Sequence, residues 1–154
     1  MTRAAPRPVS PRPRRKAALE TYVLEEQVGF ILRQVSQRHS TIFAERIGGL
    51  TPTQWAALAK LQETGPCSQN QLGRLTAMDV ATIKGVIDRL TARGLTETRP
   101  DPEDARRLLV SLTKAGQALV EKEMPNAFAI SDATLAPLAP KEREVLMELL
   151  TKLR

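Results

Sequence analysis

Cysteine and histidine each occur once in this chain of 154 residues, as Cys67 and His39. A single cysteine rules out an intrachain disulfide and gives no sign of an oxidising compartment. There is also no nucleophile elbow, no metal-ligand spacing and no glycine-rich phosphate loop, so neither triad chemistry nor a zinc site has its parts. The chain is therefore read as a non-enzyme with no cofactor and no metal. No apolar run approaches the roughly 20 residues of a membrane span, and the basic start leads into no apolar segment of the signal-peptide kind. The expectation is a soluble, cytoplasmic protein with one domain's worth of sequence.

Acid is also missing locally. Residues 1–19 carry six of the 23 basic side chains (Arg3, Arg7, Arg12, Arg14, Arg15 and Lys16) and no aspartate or glutamate. The remaining 17 basic residues are matched by 17 acidic ones over 20–154, so the net charge of +6 belongs to the tail and the body is neutral. Any affinity for a polyanion must then come from local patches plus that tail, and the pI decides little. With four prolines and little to bury, 1–19 is read as a disordered basic tail, either simply solvated or adding phosphate contacts to a bound body.

What is present is helical patterning. From Glu20 to about Ile47, apolar residues at Leu24, Val28, Ile31, Leu32, Val35, Ile42 and Phe43, with His39 among them, recur every three or four positions and predict one long helix ended at Gly48-Gly49. Thr51-Pro52 predicts a second helix, capped by the threonine with proline at its first position, carrying Trp55, Leu58 and Leu61 to Gly65-Pro66. Ser68 caps a short third helix, and a fourth follows from about Asp79 to Arg93. Two extended segments, Leu95–Arg99 and Leu108–Leu112, flank the charged loop PDPEDARR. Thr113 opens a helix to about Met124, where Pro125 is expected to break or kink the path, and Pro140 starts a leucine-rich last helix.

Helix, turn, helix and then a two-stranded hairpin is the order of a winged helix-turn-helix, so the fold class expected is mainly α with a small β-hairpin wing. In the fourth helix Val80, Ile83, Val86, Ile87 and Leu90 fall on one side and are expected to face the core. Ala81, Lys84, Gly85 and Asp88 point the other way, flanked by Thr82 and Arg89. Short or hydrogen-bonding side chains at the start of that face suit a major groove of roughly 12 Å. Gly85 costs about 1 kcal/mol relative to alanine inside a helix and suggests a close approach to something; an ordinary surface helix is the alternative. In the loop, Arg106 and Arg107 are candidates for the neighbouring minor groove, and Asp104 is expected to pair with Arg106 and set the loop's shape, where a ligand-free charged turn is the bland reading.

The stretch from Ser68 to Gly116 resembles the winged-helix core of the MarR (multiple antibiotic resistance regulator) family of bacterial transcription factors. That family's wing carries Asp-x-Arg, then an apolar strand and Leu-Thr-x-x-Gly, here Asp104, Arg106, Leu112, Thr113 and Gly116. The resemblance covers roughly 20–154. It implies one domain in which 20–48 and 114–154 are dimerisation helices and 50–113 is the winged-helix lobe. It further implies a homodimer on a pseudo-palindromic double-stranded DNA operator, usually as a repressor, with recognition helices about 34 Å apart. The expected DNA-binding set is Ser68, Gln69, Ala81, Thr82, Lys84, Gly85, Arg89, Asp104, Arg106 and Arg107. The apolar first and last helices fit dimerisation, although a monomer's core would use them too.

The resemblance also implies release from DNA by a small, often aromatic, anion. His39, with Arg38 beside it, Phe43 one turn on, and Phe30 and Trp55 as further walls, is the candidate ligand site, against the plainer reading of a packed core histidine. A free aromatic acid and an aryl-CoA thioester both stand as effectors, and the regulated genes are expected to serve aromatic catabolism. Cys67 is expected to be an inert small residue. The rival class is a winged-helix protein-interaction module, which the neutral body permits.

Overall fold

The computed structural model describes residues 22–154, which divide into two units, one ending at Ser36 and the other beginning at Gln37. The tail expected over 1–19 lies outside the described residues, as does Glu20. Over 22–36 a single 3-10 turn, Leu24–Glu26, leads through extended Gln27 into helix α1, Val28–Arg46. The helix expected from Glu20 thus begins at Val28. The interruption has a local cause: Gln27 Nε2 donates to the Val23 carbonyl at 2.8 Å, which competes with the helical backbone pattern. In this unit the apolar stripe lies open, with Val28, Ile31, Leu32 and Val35 all exposed.

Within 37–154 the stripe goes inward. Phe43 and Ile47 are buried, and Gly49 at φ 79° turns the chain toward α2, Pro52–Thr64. That helix starts as Thr51-Pro52 predicts: Thr51 Oγ1 accepts from the Gln54 N–H at 3.2 Å while Gln54 Oε1 accepts from the Thr51 N–H at 3.0 Å. Ser68 caps α3, Gln69–Leu75, and Asp79 caps α4, Val80–Ala92. Between them Ala77 takes a left-handed conformation, φ 54°, unusual for a residue with a Cβ.

Strands β1, Thr96–Pro100, and β2, Leu108–Leu112, pair antiparallel with Thr96 opposite Leu112 and Pro100 opposite Leu108, one residue later at β1 than the sequence suggests. Cys67 exchanges backbone hydrogen bonds with Val110, so the segment entering α3 is stitched to the wing. Its thiol is buried, and burial pushes its pKa up, which disfavours the thiolate a redox sensor needs.

Helix α5 runs Lys114–Leu135 and α6 Pro140–Lys152. The break expected at Pro125 is absent, and α5 is a single helix of 22 residues with the proline inside it. Proline removes the hydrogen bond to the carbonyl four residues back, that of Glu121; both residues lie on the exposed side of the helix, where a lost backbone bond costs least.

The core joins Phe43 and Ile47 of α1 to Leu58 of α2, Leu72 of α3, the inner face of α4, Val110 of the wing, and Val120 and Ile130 of α5. On α4 the buried residues are Ile83, Val86, Ile87 and Leu90. Val80, expected in the core, is 68% exposed: as the first residue of the helix it precedes the turn that packs on α3.

Candidate DNA-reading face and effector pocket

The outward side of α4 is built from its cap. Asp79 Oδ1 accepts from the Thr82 N–H at 2.7 Å and its Oδ2 from the Thr82 hydroxyl at 3.0 Å. The backbone N–H of Thr82, followed by its hydroxyl, holds the Asp79 carboxyl below the usual carboxylate range. Ala81, Thr82, Lys84 and Arg89 are exposed, while Ser68, Gln69 and Gly85 are half-buried. An ideal Cβ at Gly85 would meet nothing within 4 Å, so no part of the chain itself requires the glycine. Lys84 Nζ pairs with Asp88 Oδ2 at 2.6 Å, an exposed pair worth about 0.3–0.5 kcal/mol that a phosphate readily replaces. Ala81, Thr82, Gly85, Val86 and Arg89 share a shallow depression with Thr53 of α2. Thr53 was not expected on this face; its position depends on how α2 packs, which no local pattern encodes.

The wing loop is organised by its acids. Asp104 Oδ1 accepts from both the backbone N–H and Nε of Arg106, at 3.1 and 3.2 Å, the pairing expected from the sequence. The Arg106 side chain remains 93% exposed at the tip. A second pair is the stronger anchor: Asp101, 5% exposed, accepts from Arg107 Nε at 2.6 Å and from the Glu103 N–H at 2.9 Å, and its own N–H donates to the Arg107 carbonyl at 2.7 Å. The Glu103 N–H, and after it the Arg107 guanidinium, hold the Asp101 carboxyl below the usual range, against a desolvation effect of opposite sign. Arg107 therefore braces the loop that Arg106 tips, and its side chain is still 59% exposed.

A cavity of about 190 Å³ is lined by His39 and Phe43 of α1, Pro52 and Trp55 of α2, and Ala127, Ile130 and Ser131 of α5. Three residues picked out in the sequence, His39, Phe43 and Trp55, meet here. Arg38 and Phe30 are not in the lining: Arg38 Nη2 donates to the Ala133 carbonyl at 3.0 Å, and Phe30, in the 22–36 unit, carries the Arg33 guanidinium 5.4 Å from its ring centroid. His39 Nδ1 lies 3.0 Å from Thr134 Oγ1, which donates its only proton to the Ile130 carbonyl at 2.8 Å.

The HTH-type transcriptional repressor NicR of Pseudomonas putida is 41% identical over 134 residues, which cover 86% of this chain and 85% of NicR. A family model described as MarR family matches residues 48–107, from the turn before α2 to the end of the wing loop. The chain belongs to the MarR family. This MarR-family protein also superposes on a probable transcriptional regulator from Pseudomonas aeruginosa, with 59% identity, a TM-score of 0.84, and coverage of 86% of this chain and 100% of that one. BpsR of Bordetella bronchiseptica, whose DNA binding is regulated by 6-hydroxynicotinic acid, is 43% identical with a TM-score of 0.82, over 86% of this chain and 96% of BpsR. The protein is a DNA-binding transcriptional regulator of MarR type with a winged helix-turn-helix, and among the described residues no helix is long and apolar enough to cross a membrane.

Pro52, Ala127, Ile130 and Ser131 line the pocket of this MarR-family protein without having been picked out in the sequence, and Thr134, outside the lining, touches His39. The signal was available: 127, 130, 131 and 134 fall on one face of α5, and two of the four are hydroxyl residues where a core-facing stripe calls for large apolar ones.

Proposed function

We propose that the protein is a homodimeric repressor that reads a pseudo-palindromic operator with α4 and the wing, and leaves it when a single-ring aromatic acid occupies the His39 pocket. The observation that carries the DNA reading is the uncovered, small-residue start of α4, with β1 packed on that helix and Arg106 exposed at the wing tip. Ala81, Thr82, Lys84, Gly85 and Arg89 meet the major groove, Ser68 and Gln69 place α3 on the backbone, and Arg106, shaped by Asp104 and braced by Arg107, reaches the minor groove. Dimerisation is supported by exposed apolar side chains on α6 (Val145, Met147, Leu149 and Leu150) and at Leu153 just after it, which a lone chain would leave in water.

For the effector, about 190 Å³ accommodates one ring and its substituents, well below the roughly 300 Å³ at which sites for larger ligands begin. That favours a free acid over a CoA thioester. The relatives support the class: BpsR answers to 6-hydroxynicotinic acid, and the regulated genes are then those of aromatic-acid breakdown.

Gel shifts with the operator upstream of the gene test the DNA face. Arg106→Ala and Lys84→Ala are each expected to weaken binding by more than about threefold, in a background where affinity falls steeply with salt as counterions are released. If neither substitution moves affinity that far, the assignment of the face is wrong; affinity indifferent to salt would point to a protein-interaction module.

A further inference from the structure

The two ends of α4 are held in different ways. At its start the polar contacts are its own, Asp79 with Thr82 and Lys84 with Asp88. Its inner face packs on α2, α3 and β1 through Ile83, Val86, Ile87 and Leu90. Apolar burial is non-directional, so it sets how deep the helix sits more firmly than how far it is tilted. Directional ties come at the other end. Among the described residues, the side chains of α4 and its C-cap bond to other elements twice, Thr91 with the Thr96 hydroxyl at 2.9 Å and Arg93 Nη1 with the Gly49 carbonyl at 2.6 Å.

The first bond joins α4 only to the strand that follows it. The second spans 44 positions, to the corner between α1 and α2, where Gly49 stands at φ 79° between the buried residues Ile47 and Leu50. A guanidinium is planar and always charged, and its bond to a carbonyl is stronger and more strictly aimed than a neutral one. Arg93 thus fixes one end of a rod. Ala81 lies twelve residues earlier, about 18 Å along the axis. A tilt of about 5° about the Arg93 end would carry Ala81 by about 1.6 Å, whereas a hydrogen bond to a base edge survives a play of only about 0.5 Å.

Resting on the reading of α4 as the helix that meets the operator, we propose that Arg93 is a positioning residue for sequence recognition. It makes no contact with DNA; its bond to the Gly49 carbonyl holds α4 at the tilt at which Ala81, Thr82, Lys84 and Gly85 meet the base edges. Attraction to phosphates carries no sequence information and tolerates a small misalignment, so the loss of this tie falls on specific binding and spares non-specific binding.

Equilibrium binding of the full chain to its operator and to an unrelated duplex of equal length, each over a salt series and well below the melting temperature, tests this. Arg93→Ala is the direct variant, and Arg93→Gln keeps a long unbranched stem and good helix propensity as a safeguard for folding. Both are expected to weaken operator binding by at least about fivefold, within the worth of one charge-assisted hydrogen bond, and to leave the unrelated duplex within about twofold. The slope of log affinity against log salt at the operator should stay as it is, because no phosphate contact is lost. A parallel loss on both duplexes overturns the proposal, and a slope shallower by about 0.9 alongside it would make Arg93 a phosphate contact. Operator affinity within about twofold of the unaltered chain in both variants overturns it too. Lys84→Ala, run in parallel, is expected to make the operator slope shallower by about 0.9. If Lys84→Ala instead binds both duplexes as the unaltered chain does, the reading of α4 falls and takes this inference with it; if Lys84→Ala behaves as expected and the Arg93 variants do not, this inference falls alone.

Discussion

Two glycines inside helices should respond to alanine in opposite ways. At Gly116, on the first turn of α5, an ideal Cβ would sit 2.1 Å from the Leu95 carbonyl oxygen and 3.3 Å from Leu112 Cδ2. Carbon and oxygen approach comfortably only to about 3.3 Å, so the Leu95 backbone must retreat by about 1 Å. That carbonyl also accepts from the Thr113 N–H at 3.1 Å, and Thr113 in turn donates its hydroxyl to the Gly94 carbonyl at 2.6 Å, so the displacement loosens the joint between wing and helix. Overpacking costs about 1–3 kcal/mol and a weakened hydrogen bond about 1 more, offset by at most about 1 from alanine's better helix propensity. Gly116→Ala should therefore destabilise by about 1–3 kcal/mol, a fall in Tm of roughly 2–12 °C at fixed protein concentration. At Gly85 the Cβ would meet nothing, and alanine there should stabilise by up to about 1 kcal/mol while weakening operator binding, because the space it fills is where the DNA backbone or bases approach. Thermal unfolding and gel shifts on both variants decide the matter. A Gly116→Ala protein that melts with the unaltered one refutes the packing estimate. A Gly85→Ala protein that binds its operator as before refutes the close-approach explanation of that glycine.

His39→Ala should leave operator affinity within about twofold yet blunt release by an aromatic acid; loss of both, read by gel shift with and without the acid, would mark the residue as structural. Asp101, whose folded carboxyl is held below its ordinary range, stabilises the wing at pH values above that range, and the contribution disappears as pH falls through the lowered value. Asp101→Asn should accordingly speed amide exchange over residues 100–108 at neutral pH and remove the acid dependence seen below about pH 4; exchange unchanged at pH 7 would refute the brace. Val80→Ser, at an exposed position on the first turn of α4, should leave Tm nearly unchanged, and it tests whether that valine reads a thymine methyl: altered preference at one operator position is the expected result in a binding-site selection.

The local signals in the chain were legible because each is carried by neighbours in sequence. The Thr51-Pro52 start, the Ser68, Asp79 and Thr113 caps and the Asp104–Arg106 pair involve partners two or three residues apart, and all are present. His39 and Trp55 stood out as the lone histidine and the lone tryptophan of the chain, and Phe43 joined them because it lies one helical turn from His39. What escaped depends on tertiary surroundings. Val80 fits the α4 stripe by angle, but lies before the turn that packs. Pro125 reads as a breaker unless one knows that Glu121 faces water. The Asp101–Arg107 brace spans six residues across a loop whose closure no periodicity announces, and Thr134 acts on His39 from 95 positions away.

The unbroken passage of α5 through Pro125 makes that helix a lever. Its far end forms one wall of the pocket at Ile130 and Ser131, and its near end is jammed at Gly116 against the Leu95 carbonyl with no side chain between them. Fourteen residues of helix separate Gly116 from Ile130, about 21 Å of rigid rod, so a swing of only about 5° would carry one end past the other by about 2 Å. Such a joint has no cushion to absorb that travel before it reaches the wing.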